Sequence, residues 1–117
     1  MIERWRAGSD GRSRAVAFGS LVWVVANGDE SEPFERQLAG SFARVDRSLE
    51  EAGSDRGRLL SVQIVLSDLR RKADLDRAWN DWIGGDATRW PQRSCIQAGL
   101  TGGLQVEIVA VAAREPR

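Results

Sequence analysis

Four side chains toward the end of the chain have the types and spacing to do chemistry: Arg93, Cys95 and Gln97 at every second position, and Glu107 on the next apolar run. In an extended segment such spacing sends the first three to one face. Arginine presents a planar fork of donors that grips a carboxylate bidentately and keeps its charge, so Arg93 suits a small carboxylate-bearing ligand. Glu107 could orient or deprotonate a water. The same two residues could equally form an ion pair between subunits with no ligand. Cys95 reads as a nucleophile if the Arg93 charge lowers its pKa, or as a small apolar filler. Filler is the preferred reading, because the chain has no histidine to assist a thiol.

The zeros in the composition exclude much else. Among 117 residues there are no histidines, no tyrosines and one cysteine. That removes Ser-His-Asp and Cys-His catalysis, the common zinc ligand sets, a multi-thiolate metal site and any intrachain disulfide. Seventeen basic side chains balance seventeen acidic ones. The bulk charge therefore gives no reason to expect nucleic acid or an anionic membrane as partner. No run approaches the roughly 20 apolar residues of a membrane span or reads as a signal peptide, which makes the cytoplasm the expected compartment. The length predicts one domain, residues 1–117.

The elements that must position these residues follow from the apolar period. Glu3 to Ala7 and Ser13 to Phe18 read as strands around Gly8-Ser9-Asp10-Gly11. Leu21 to Ala26 is β-branched and aromatic, closed by Asn27-Gly28, and reads as a strand. Phe34, Leu38, Phe42, Val45 and Leu49 then form a helical stripe within Ser31 to Glu51, with Ser31 as its expected cap and Gly53 as its stop. Leu59 to Leu66 predicts a strand with Leu60, Val62, Ile64 and Leu66 on one face. A second helix is expected from about Arg71 to Ile83, with Leu75, Ala78, Trp79 and Trp82 on its apolar side. Arg93 to Gly99 and Leu104 to Ala113 read as the last two strands, joined at Thr101-Gly102-Gly103.

This inventory predicts an α+β fold: a sheet of about six strands with two helices on one face. Leu21 to Ala26 and Leu104 to Ala113 are apolar on both alternating sets, so the uncovered face predicts a homo-oligomer. Alternation puts Ile96 and Ala98 under the helices. Arg93, Cys95 and Gln97 then join Glu107 on the face turned to other subunits. If Gly102 centres a hairpin, Glu107 lies opposite Gln97 and Arg93 is about 13 Å further along. Trp23, Trp79 and Trp82 read as core packing rather than base-stacking platforms.

Trp90-Pro91-Gln92-Arg93-Ser94-Cys95-Ile96-Gln97-Ala98-Gly99-Leu100, followed by Val106-Glu107-Ile108-Val109-Ala110, resembles the signature of the Rid family, the reactive intermediate deaminases of RidA (YjgF) type. Ala52-Gly53-Ser54, Val65-Leu66-Ser67-Asp68 and Ala78-Trp79-Asn80-Asp81-Trp82 extend the likeness from about Leu21 to Ala113, in the manner of the YoaB-like branch. The resemblance implies a chorismate-mutase-like sheet assembled as a homotrimer with ligand sites in the clefts between subunits. It implies hydrolysis of 2-imino and enamine acids to 2-oxo acids and ammonia without metal or cofactor. By motif, Arg93 would hold the substrate carboxylate, the Cys95 backbone would help place ligand and water, and Glu107 would stand near the hydrolytic water. Val25-Ala26 occupies the ligand-lining position where RidA proper has Ser-Gly, and its pocket tyrosine has no counterpart here. A more apolar pocket is expected. A non-catalytic trimer that binds small 2-oxo acids is the alternative. RNA cleavage, also attributed to relatives, fits poorly with balanced charge and no histidine.

Overall fold

The structure, a computed structural model, describes residues 1–116. Its elements run β1 (Glu3–Arg6), β2 (Ser13–Phe18), β3 (Leu21–Asn27), α1 (Phe34–Glu51), β4 (Leu59–Leu66), α2 (Lys72–Ile83), β5 (Gln92–Gln97) and β6 (Val106–Ala113). They build one six-stranded sheet in the order β1-β2-β3-β6-β4-β5. Every neighbouring pair is antiparallel except β4 and β5. Parallel neighbours cannot be joined by a tight turn, so α2 is the crossover from β4 to β5. In the same way α1 carries the chain from β3 to β4, which lie parallel on either side of β6. Both helices pack on one face, giving the expected α+β architecture.

The core lies between that face and the helices. Val22, Val24 and Ala26 of β3, Val62, Ile64 and Leu66 of β4, and Val106, Ile108, Ala110 and Ala112 of β6 are all buried. Phe34, Leu38, Phe42, Val45 and Leu49 of α1 and Leu75 and Trp79 of α2 close over them. Phe42 stacks on Trp82 with ring centroids 4.6 Å apart, which ties α1 to α2. Gly53, at φ 86°, ends α1: Ser54 N–H donates to Leu49 O at 2.8 Å and Gly53 N–H to Glu50 O at 3.1 Å. The opposite face carries Phe18, Trp23, Val25, Ile96 and Val109 in the open, an apolar surface that the single chain leaves uncovered.

Four expectations change. Ser31 does not cap α1: its N–H and hydroxyl both donate to Asp29 Oδ1, and the helix begins after Pro33 without a side-chain cap. Leu60 is exposed because a bulge between Leu59 and Ser61 shifts the register, so Leu59 takes the buried place. Trp23 belongs to the open face, since its neighbours Val22 and Val24 are the pair that point inward. β5 and β6 are not a hairpin, because β4 lies between them.

The loops at one end of the sheet are joined by a buried amide. Gln37 Nε2 donates to Glu32 O and Gly103 O, each at 3.0 Å, and its Oε1 accepts from Gln105 N–H at 2.9 Å. A Cβ on Gly28 would stand 2.6 Å from Gln37 O, so the chain leaving β3 can pass this close only as glycine. Gln37→Leu would strand three backbone groups. It should destabilise the protein by about 2–4 kcal/mol in urea denaturation at fixed protein concentration. A loss under about 0.5 kcal/mol would contradict this role.

Candidate functional site

β5 is an edge strand, paired with β4 alone. Its Arg93, Cys95 and Gln97 align with Val62, Ile64 and Leu66, all buried under the helices. These three side chains therefore lie on the helix-covered face, not the open one, while Ile96 is 42% exposed on the open face. Placing Ile96 inward from its hydrophobicity fails because both faces of an edge strand are only half covered. What decides is α2, which offers partners to an arginine.

Arg93 NH2 donates to Asp76 Oδ1 at 2.7 Å, and its guanidinium lies over the Trp79 ring, 5.3 Å from the centroid. Lys72 Nζ donates to the other Asp76 oxygen, Oδ2, at 2.7 Å. Lys72, Asp76 and Trp79 share one side of α2 through the spacing of three to four residues that puts helical positions in register. The Lys72 hydrogen bond, followed by that of Arg93, holds the Asp76 carboxyl below the usual aspartate range. The Arg93 side chain keeps 21% of its surface accessible. One of its five donors is spent on Asp76, so the others can take a carboxylate. None of Lys72, Asp76 or Trp79 was singled out as a ligand-site residue in the sequence. Only the Lys72–Asp76 spacing of four hinted at a local ion pair.

The backbone beside Arg93 is also open. Ala98 N–H donates to Leu66 O at 3.1 Å, so by strand alternation the N–H groups of Cys95 and Gln97 turn away from β4 to the free edge. The Gln97 side chain is committed locally, its Oε1 accepting from Leu69 N–H at 2.8 Å. The Cys95 thiol packs against the core, and burial pushes its pKa up while Arg93 and Lys72 pull the other way. The lowered pKa that a nucleophilic reading required is absent. Among the described residues, no cluster of three or more His, Cys, Asp or Glu could hold a metal ion.

Glu107 stands apart from this group. On β6 it alternates with the buried Val106 and Ile108, so it faces the open side, half-buried, aligned with Asn27 of β3 and Val65 of β4. Arg93 is two strand spacings away, about 10 Å across and about 10 Å along the strands, and on the other face. Within one chain the two do not meet. The two lining residues also separate: Val25 is on the open face diagonal to Glu107, whereas Ala26 is buried beneath α1. A surface groove of about 460 Å³ between α1 and α2, lined by Phe42, Asp46 and Trp82 among others, lies apart from both charged residues.

A mixed six-stranded sheet with two crossover helices on one face and an arginine at its parallel edge defines the class. A family model described as Endoribonuclease L-PSP matches residues 13–114. The RutC family protein YoaB of Escherichia coli is 37% identical over 86 residues, covering 72% of each chain. A YjgF family protein from Neisseria meningitidis superposes with a TM-score of 0.89 at 28% identity, covering 100% of this chain and 98% of that one. A protein of Pseudomonas aeruginosa described as uncharacterized gives a TM-score of 0.88 at 33% identity, covering 98% and 100%. The chain belongs to the YjgF/RidA family. Among the described residues, no helix is long and apolar enough to cross a membrane.

The raised thiol pKa has a direct readout, because only the thiolate is alkylated. Cys95 should react with iodoacetamide at pH 8 several-fold more slowly than free cysteine. A rate equal to that of free cysteine would contradict the burial argument.

Proposed function

We propose that this protein hydrolyses small 2-imino and enamine acids to 2-oxo acids and ammonia in clefts between the subunits of a homotrimer. The observation that carries the reading is the Arg93 guanidinium, fixed on Trp79 and by Asp76 at the free edge of β5 with most of its donors unspent. Substrate carboxylate on Arg93 places the imine carbon beside the outward backbone N–H groups of β5. An imine carbon is already electrophilic, so catalysis requires a held carboxylate and an aimed water. Water oxygen bonds to that carbon as the C=N electron pair moves to nitrogen, which takes a proton. Collapse of the resulting amino alcohol forms the C=O bond and expels ammonia. Glu107 is the group assigned to orient the water and accept its proton.

Assembly is part of this reading. Arg93 and Glu107 lie on opposite faces of one sheet, so a site that uses both needs Glu107 from a second copy. The uncovered apolar face with Trp23, Val25 and Val109 supplies the surface that would drive such assembly. Val25 then lines the cleft as an apolar contact, with Ala26 shaping it from beneath and the Cys95 backbone contributing a donor. Balanced charge and the lack of histidine favour a small-molecule site over RNA cleavage. The separation of Arg93 from Glu107 within the chain also supports a second reading, a trimer that binds 2-oxo acids without turnover.

Hydrolysis of 2-iminobutanoate, generated in the cuvette by an amino acid oxidase, separates the two. Wild type should exceed the buffer rate, and Arg93→Ala should lose at least about 100-fold in kcat/KM, the scale of one lost charged contact. A wild-type rate equal to buffer, with 2-oxobutanoate still bound, would replace the deaminase by the binding protein.

A further inference from the structure

The arginine assigned to the substrate carboxylate already holds a carboxylate of its own chain. We propose that Asp76 is a specificity-determining residue: by sharing the Arg93 guanidinium it favours ligands that pair a carboxylate with an adjacent protonated nitrogen over plain mono-anions of the same shape. This rests on Arg93 being a carboxylate site, as argued above.

Geometry carries the argument. Both Asp76 oxygens are engaged, Oδ1 by Arg93 and Oδ2 by Lys72, each at 2.7 Å, so the carboxylate cannot turn away without losing one cation. Trp79 beneath the guanidinium holds Arg93 from the other direction. A second carboxylate on the remaining donors of the same planar group comes within about 5 Å of the first. Two like charges at that distance repel, and although solvent around the partly exposed Asp76 screens the repulsion, the shared guanidinium keeps the two carboxylates close. A positive nitrogen on the carbon next to the ligand carboxylate offsets it.

Counting charge leads to the same direction. Arg93, Lys72 and Asp76 sum to one positive charge, since an aspartate is ionised at neutral pH and the two cations only favour that form further. A 2-oxo acid brings one negative charge, whereas a 2-iminium acid is a zwitterion and brings none. Removing the aspartate charge would leave two positive charges and strengthen the hold on the mono-anion most. Asp76 thus loosens the 2-oxo acid product relative to the protonated imine substrate. Differential holding of this kind assists turnover, because product competes less for the site.

The test compares 2-oxobutanoate with 2-aminobutanoate, a stable zwitterion that stands in for the iminium acid, by calorimetric titration of the full chain. The ratio of Kd for the oxo acid to Kd for the amino acid is the readout. Asp76→Asn should lower it about tenfold, equivalent to about 1.4 kcal/mol. Asp76→Ser should do the same and serves if the first variant does not fold. Asp76→Glu, which keeps the charge, should hold the ratio within about twofold. An unchanged ratio in both neutral variants, with both ligands bound, would overturn the role of Asp76 and leave Arg93 as the carboxylate site. Failure of wild type to bind either ligand would remove the Arg93 reading and this inference with it.

Discussion

The parallel ladder between β4 and β5 requires a crossover, and α2, which makes it, returns over the strand it delivers. Arg93 therefore starts under the helix that precedes it and meets Asp76 and Trp79 there. As the last strand in the order, β5 keeps one backbone edge free. A rigid cation beside unpaired N–H donors is what recognition of a small carboxylate calls for, and both come from the same topological fact.

A second constraint is numerical. Two crossover helices cover one face of six strands, and the remaining face is apolar along β3 and β6. Val25 and Glu107 sit on that face, whereas Arg93 and Cys95 lie on the other. The chain thus displays the two halves of the candidate site in different directions. The proposed assembly would cover the apolar surface and allow the halves to be brought together from separate copies. The cation at the edge is tempered by Asp76 rather than left alone.

Much of this was legible in the residues. The helical stripe from Phe34 to Leu49, the doubly apolar β3 and β6 and the chemistry-bearing types at Arg93 and Glu107 needed only period and composition. The direction of β5 did not follow. Alternation determines which residues share a face, but not which face that is, and Ile96 favoured the wrong choice because an edge strand has no fully buried side. Strand order was equally hidden: Thr101-Gly102-Gly103 has hairpin chemistry, yet the long-range pairing of β6 with β3 and β4 overrides it. The bulge at Leu60 and the Asp29 bonds of Ser31 are similar cases, in which a local signal yields to packing or to a nearer acceptor. Asp76 carries no ligand signal in the sequence, because an aspartate four residues from a lysine on a helix usually marks a solvated ion pair.

The proposed function turns on whether a ligand carboxylate seats on Arg93 in a cleft completed by another copy. A crystal structure with 2-oxobutanoate bound tests it most directly. It should show a trimer with the ligand carboxylate within about 3 Å of the Arg93 guanidinium, and Glu107 from a neighbouring copy facing the same cleft. A ligand bound elsewhere, with Arg93 paired to Asp76 alone and Glu107 outside any shared cleft, would contradict it.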